Sequence, residues 1–132
     1  MSKKCVISAI VMFVLAWALS FVVHELLLGA DYSATQGMRS PAEMQQLVPF
    51  IIFAHAVFGI AFAWIYVQGK DDKPWLAQGI RYGIAIACVA IVPTYLIYHA
   101  VTPVPLVLAI KQIVYDTIRL MLMGVVLAWI NR

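Results

Sequence analysis

Between Lys111 and Arg119 the chain places five residues of chemically capable types at a spacing that brings them together. At about 100° per helical residue, Lys111, Gln112, Tyr115, Asp116 and Arg119 fall within an arc of roughly 140°. One stripe would then carry two cations, a carboxylate, an amide and a phenol. Asp116 and Arg119 are three residues apart and can pair with each other, while the whole stripe can line a polar pocket. Elsewhere His24 and Glu25 are adjacent, His55 precedes Gly59 and Ala63 at four-residue steps, and Tyr95 and His99 are one turn apart. Imidazole relays protons near neutral pH and ligates transition metals, so all three histidines are candidates for either task.

The elements that must position these residues are apolar helices. Of 132 residues, 64% are apolar and 11% charged, and a soluble domain of this size buries too little surface to hide that excess. Disorder, a disulfide scaffold and nucleic-acid binding are excluded by the same composition, which has no polar tract, only two Cys and no basic cluster. Four runs reach the roughly 20 residues a membrane span needs: 6–28, 47–67, 79–98 and 106–130. The expected fold is therefore all-α, a single four-helix transmembrane domain over 1–132 with up-and-down topology. Lys3 and Lys4 before an apolar run are also the start of a signal peptide, but this run exceeds the roughly 7–15 residues of a signal core and is read as a retained helix.

Cations set the orientation. Lys3, Lys4, Lys70, Lys73, Arg81 and Arg132 fall on one side and Arg39 alone on the other, which predicts both termini and the 68–78 loop in the cytoplasm. Trp64, Tyr66, Trp75, Tyr82 and Trp129 are expected as inner interfacial anchors, with Tyr32, Tyr95 and Tyr98 at the outer face. Ser40-Pro41-Ala42-Glu43 reads as a capping box that starts a helix running in past Pro49. Asp72 is expected to cap the third helix, with Pro74 in its first turn. Cys5 and Cys88 lie about half a bilayer apart and read as small apolar fillers, Cys88 on the stripe of Tyr95 and His99.

Depth sharpens the site. Counting about 1.5 Å per residue from Leu106, Lys111 lies about 7 Å deep and Arg119 about 20 Å, near the midplane. Charges there are costly and mark functional sites by default. The polar groups concentrate in the outer half, and the inner half is expected to hold almost none beyond its interfacial charges. The ligand- or ion-binding candidates are His24, Glu25, His55, Lys111, Tyr115, Asp116 and Arg119, and the metal candidates are His24, His55 and His99.

Three readings stay open. In the first, the pocket binds or passes a small ion, proton or anionic molecule, and a homodimer or larger membrane complex supplies the room that four helices lack. In the second, the histidines hold a haem or transition metal in a redox subunit, although no paired-histidine motif supports it; the residues themselves call for no cofactor. In the third, the buried charges bind a partner helix and the chain is an accessory or scaffolding subunit. Nucleophile elbows, phosphate loops and metal-binding helix motifs are absent, so an enzyme is the less expected class.

Four features carry a resemblance: His24-Glu25 followed by Leu28-Gly29-Ala30-Asp31-Tyr32, the Gln78–Tyr82 stretch with Gly83, the prolines at 103 and 105, and Lys111 to Arg119. Over nearly its full length the chain resembles small bacterial four-span integral membrane proteins of unknown function. That resemblance implies a multi-pass protein of the bacterial inner membrane, with the lipid bilayer as its first partner, and adds no mechanism.

Overall fold

In the computed structural model, which describes residues 3–132, the chain is 85% helical, with no strand among the described residues. Helices α1 (Lys3–Phe21), α2 (Gly29–Ala34), α3 (Pro41–Gln46), α4 (Val48–Gly69), α5 (Trp75–Ile86), α6 (Val92–Val101) and α7 (Leu106–Ile130) follow in order. Short π-helical turns, Val22–Leu27 and Ala87–Ile91, extend α1 and join α5 to α6. Four continuous helices result that are long and apolar enough to cross a membrane: Lys3–Leu27, Val48–Gly69, Trp75–Val101 and Leu106–Ile130. We call them spans 1 to 4.

The surface is the inverse of a soluble protein's. Phe50, Phe53, Val89 and Val101 are each about 70% exposed or more, whereas Asp116 and Ser8 are fully buried. Hydrophobic side chains gain nothing by leaving lipid, so the helices must associate through close packing and polar contacts instead. Glycine supplies the close packing. A Cβ on Gly59 would stand 2.5 Å from the backbone nitrogen of Phe13, and one on Gly79 would stand 2.5 Å from the carbonyl oxygen of Gly124. Gly83 meets the Leu120 carbonyl in the same way. Spans 1 and 2 are thereby locked together, as are spans 3 and 4, and span 4 also packs on span 1. The Gly59 contact expected from its spacing with Ala63 is present.

Spans 2 and 3 meet through aromatic side chains. Tyr82 donates to the Phe62 carbonyl at 2.5 Å, and its ring packs 4.7 Å from Phe62 and 5.2 Å from Tyr66 between centroids. Tyr66, 4% exposed, thus packs into the bundle near the end of span 2.

At the end carrying both termini, Asn131 donates from Nδ2 to Ser8 Oγ at 2.9 Å, Lys70 Nζ donates to the Asn131 carbonyl at 3.1 Å, and Lys4 Nζ reaches the Arg132 carbonyl at 3.5 Å. Those contacts place the start of span 1, the end of span 2 and the end of span 4 together, as alternating helices require. The buried Ser8–Asn131 pair corrects the expectation of an inner half without polar groups.

The connectors depart from expectation where backbone geometry intervenes. The Ser40 capping box forms, with Ser40 N donating to Glu43 Oε2 at 2.8 Å and Glu43 N to Ser40 Oγ at 3.3 Å. Its helix stops at Leu47 and restarts as α4, because Pro49 has no N–H to continue the ladder. Asp72 does not cap α5: the side-chain amide of Gln78 closes the loop, accepting from Asp71 N at 2.9 Å and donating to Asp71 O at 3.0 Å.

Pro93 explains the second π turn. A proline ring collides with the carbonyl four residues back, and the wider Ala87–Ile91 turn, closed from Val92 N to Ala87 O, relieves the clash. The extra residue in that turn rotates everything before it. Cys88 is consequently exposed, not aligned with Tyr95 and His99 as a straight helix would have it.

Candidate functional site

Span 4 is the most buried of the four, with 33% of its most apolar window inside the bundle against 11–22% for the others. Its buried face carries Gln112, Asp116 and Leu120, and the first two are the buried members of the expected stripe. Packed against spans 1 and 3, this helix is the one on which a carboxylate can be fully buried.

The first π turn and the helix after it bring span 1 to that stripe. Leu28 N closes the turn on Val23 O at 2.9 Å, and Val23, Leu28 and Leu108 form a small buried cluster on which Tyr32 and Tyr115 pack. Helix α2 is seated there by apolar contact, which holds Tyr32 over His24. Their rings stack at 21° with centroids 5.9 Å apart.

The polar contacts then run as a chain. Gln112 Nε2 donates to Tyr32 Oη at 3.0 Å, and Tyr32 Oη lies 2.6 Å from His24 Nδ1. His24 Nε2 lies 3.3 Å from Asp116 Oδ2, which also accepts from Tyr95 Oη at 2.5 Å. Arg119 Nε stands 3.0 Å from Asp116 Oδ1. Burial, with the charges of Asp116, Asp31 and Glu25 adding and the Gln112 bond opposing, pushes the Tyr32 phenol up to about 12. Tyr32 therefore keeps its proton and, already accepting from Gln112, offers it to His24 Nδ1. That leaves the other nitrogen of a neutral His24 as the N–H facing Asp116.

Side-chain exposure falls along this route, from 42% at Lys111 through 25% at His24 and 11% at Arg119 to 1% at Asp116. The site has a wet mouth and a dry floor. Asp116 and Arg119 pair as their spacing allows, yet the Arg119 N–H is not aimed at the oxygen. Asp116 Oδ1, Arg119 Nε and Gln112 Oε1 are buried without a hydrogen-bond partner. Buried polar atoms are ordinarily satisfied; Asp116 Oδ1 and Arg119 Nε have each other as an ion pair, which leaves Gln112 Oε1 as the acceptor on this face without a counterpart.

The remaining candidates divide. Lys111 pairs with Asp31 at 2.8 Å, not with Glu25, and so bridges span 4 to α2 at the mouth. Glu25 is exposed on the π turn and makes no ion pair or hydrogen bond to His24, Asp116 or Lys111, although its charge acts on Tyr32. Tyr115 packs beside the apolar cluster. His55 is half-buried, bonds its own Ile51 carbonyl through Nδ1 at 2.7 Å, and lies within electrostatic reach of Arg119, His24 and Asp116. His99 is held by the Val104 carbonyl at 2.7 Å and fastens the 102–105 turn. His24, His55 and His99 are not gathered: among the described residues no group of three or more His, Cys, Asp or Glu is arranged to hold a metal ion.

Sequence reasoning left Tyr32, Tyr95, Asp31 and Gln112 out of the site. Tyr95 and Gln112 were recognisable by position, one on the face of His99 and the other within the stripe. Tyr32 and Asp31 could not be placed without the fold of α2. No protein-family model, no curated protein and no solved structure matches the chain.

Proposed function

We propose that this chain is a small multi-pass protein of the bacterial inner membrane, with both termini cytoplasmic, that takes up and releases a proton at the His24–Asp116 pair on behalf of a small ion or solute. The observation that carries this reading is the engagement of both His24 nitrogens, one by Tyr32 and the other by a carboxylate with 1% exposure. With His24 neutral, Asp116 and Arg119 cancel and the site has no net charge. Protonating His24 makes it cationic in a low-dielectric setting where one charge changes the affinity for any ionic cargo. Tyr32 and Gln112 lead from His24 towards the Lys111–Asp31 pair, a route of hydrogen-bonding groups between the floor and the mouth. The unpartnered Gln112 Oε1 supports a binding role over a purely structural one.

The test is nitrogen-15 NMR of histidine in the protein reconstituted in nanodiscs. Asp116→Asn should disfavour the imidazolium form of His24 relative to the parent, because the anion that stabilises it is gone. A His24 that never titrates, or one indifferent to Asp116→Asn, would overturn the reading.

A further inference from the structure

At the end of the bundle opposite His24, spans 2 and 3 part below the Tyr82–Phe62 contact and leave two adjoining recesses of about 330 and 500 Å³. They share Tyr66, Asp71, Lys73 and Gln78. Four cations line them, Lys70, Lys73, Arg81 and Arg132, against two carboxylates, Asp71 and Asp72, which leaves two positive charges in excess. Most of these groups are already engaged. Lys73 pairs with Asp71 at 2.7 Å, Lys70 holds the Asn131 carbonyl, and Arg132 lies over the rings of Trp75 and Trp129 at 5.8 and 5.5 Å. Arg81 is exposed and, among the described residues, makes no ion pair or hydrogen bond.

The wall of the same recess is apolar on the side that runs into the membrane. Ile65 and Ala85 line it directly above the charged rim, and Ile65 is 43% exposed. Ile65 lies one helical turn inside the end of span 2, at a depth of about 6 Å. A free anion has no use for such a wall, whereas a phospholipid presents a phosphate and an acyl chain in that order. Basic recesses between membrane helices are suited to anionic headgroups.

We propose that this recess binds an anionic phospholipid, with Arg81 and Lys73 on the phosphate and Ile65 and Ala85 against the upper acyl chain. Its occupant stands at the seam between spans 2 and 3, which lack the glycine contacts that lock spans 1 and 2 and spans 3 and 4, and it fastens that seam from the lipid side. The site is independent of the proton-handling reading, because no residue is shared.

The experiment measures binding of phosphatidylglycerol to the full chain by native mass spectrometry and by thermal shift in mild detergent, with phosphatidylcholine and inorganic phosphate as parallel probes. Phosphatidylglycerol should bind and stabilise, and Arg81→Gln and Lys73→Gln should each weaken it roughly fivefold. Lys3→Gln, at an exposed cation outside the recess, should leave binding unchanged. Equal binding of phosphatidylcholine, an equal loss in Lys3→Gln, or full stabilisation by phosphate alone would overturn the proposal. Because Arg81 supports no contact within the described residues, its variant folds as the parent does and the comparison stays readable.

Discussion

Tyr95 donates its hydroxyl to Asp116 Oδ2 at 2.5 Å, so the third span holds the carboxylate that the first span's histidine faces. A hydrogen bond to a buried charge is worth about 1.5–3 kcal/mol. Tyr95→Phe should lower stability by that order, read as detergent melting temperature, while Tyr98→Phe, at an exposed ring, should change it little.

Asp116→Asn leaves Arg119, 11% exposed, without its counter-ion, and breaking a buried pair costs about 3–5 kcal/mol. Asp116→Asn with Arg119→Gln should regain much of that stability. Proton-dependent activity should stay lost in the double variant if the charges are the working parts. Recovery of both stability and activity would return the pair to a structural role.

Glycine contacts give a prediction of opposite signs. Gly83→Ala forces a Cβ onto the Leu120 carbonyl and should cost about 1–3 kcal/mol, the usual range for overpacking, with loss of the folded-protein peak on size exclusion. At Gly29 a Cβ would meet nothing within 4 Å, and φ is not left-handed. Gly29→Ala should therefore be neutral or raise stability by up to about 1 kcal/mol.

The Tyr32 phenol gives a pH prediction. Its folded value of about 12 lies above the ordinary tyrosine value near 10, so the stabilisation is fully present below about pH 10 and is lost as pH rises through 12. Tyrosinate absorbance compared between the native chain and Tyr32→Phe should place the missing increment near pH 12 in the folded protein and near 10 after denaturation. An increment near 10 in the folded state would mean that burial does not protect this phenol.

Orientation is checked by reporters. A fusion after Arg132 should be cytoplasmic and one at Gln36 external, as the lysine and arginine distribution requires. An external C-terminus would place the mouth of the His24 site in the cytoplasm and reverse the direction of proton uptake.

The four helices were legible because hydropathy and length are summed over twenty residues and survive local irregularity. Asp116, Arg119 and His24 were legible for a related reason: a charge or imidazole at that depth has few alternatives to the bundle interior. Glu25 was chosen for its place beside His24, and on the π turn Val22–Leu27 two adjacent residues differ in exposure, His24 part-buried and Glu25 exposed. Cys88 was misplaced by the π turn Ala87–Ile91, which a count at 100° cannot see. Lys111 found Asp31 and not Glu25 because α2 folds over the end of the bundle, a tertiary event with no signature in periodicity. Tyr66 and Tyr82 read as interfacial anchors by type and position, and only the packing of spans 2 and 3 shows that their rings also meet each other inside the bundle.

Mean hydropathy falls along the chain, from 2.7 in span 1 through 2.2 and 2.0 to 1.8 in span 4. The ribosome therefore delivers three strongly apolar segments to the translocon before the one that carries Lys111, Asp116 and Arg119. Span 4 is the least apolar of the four, and the groups that contact its charges from outside it, His24, Asp31 and Tyr95, all precede it in the chain. The order of the chain is therefore an order of partners: when span 4 is made, every side chain that its buried face needs has been made before it.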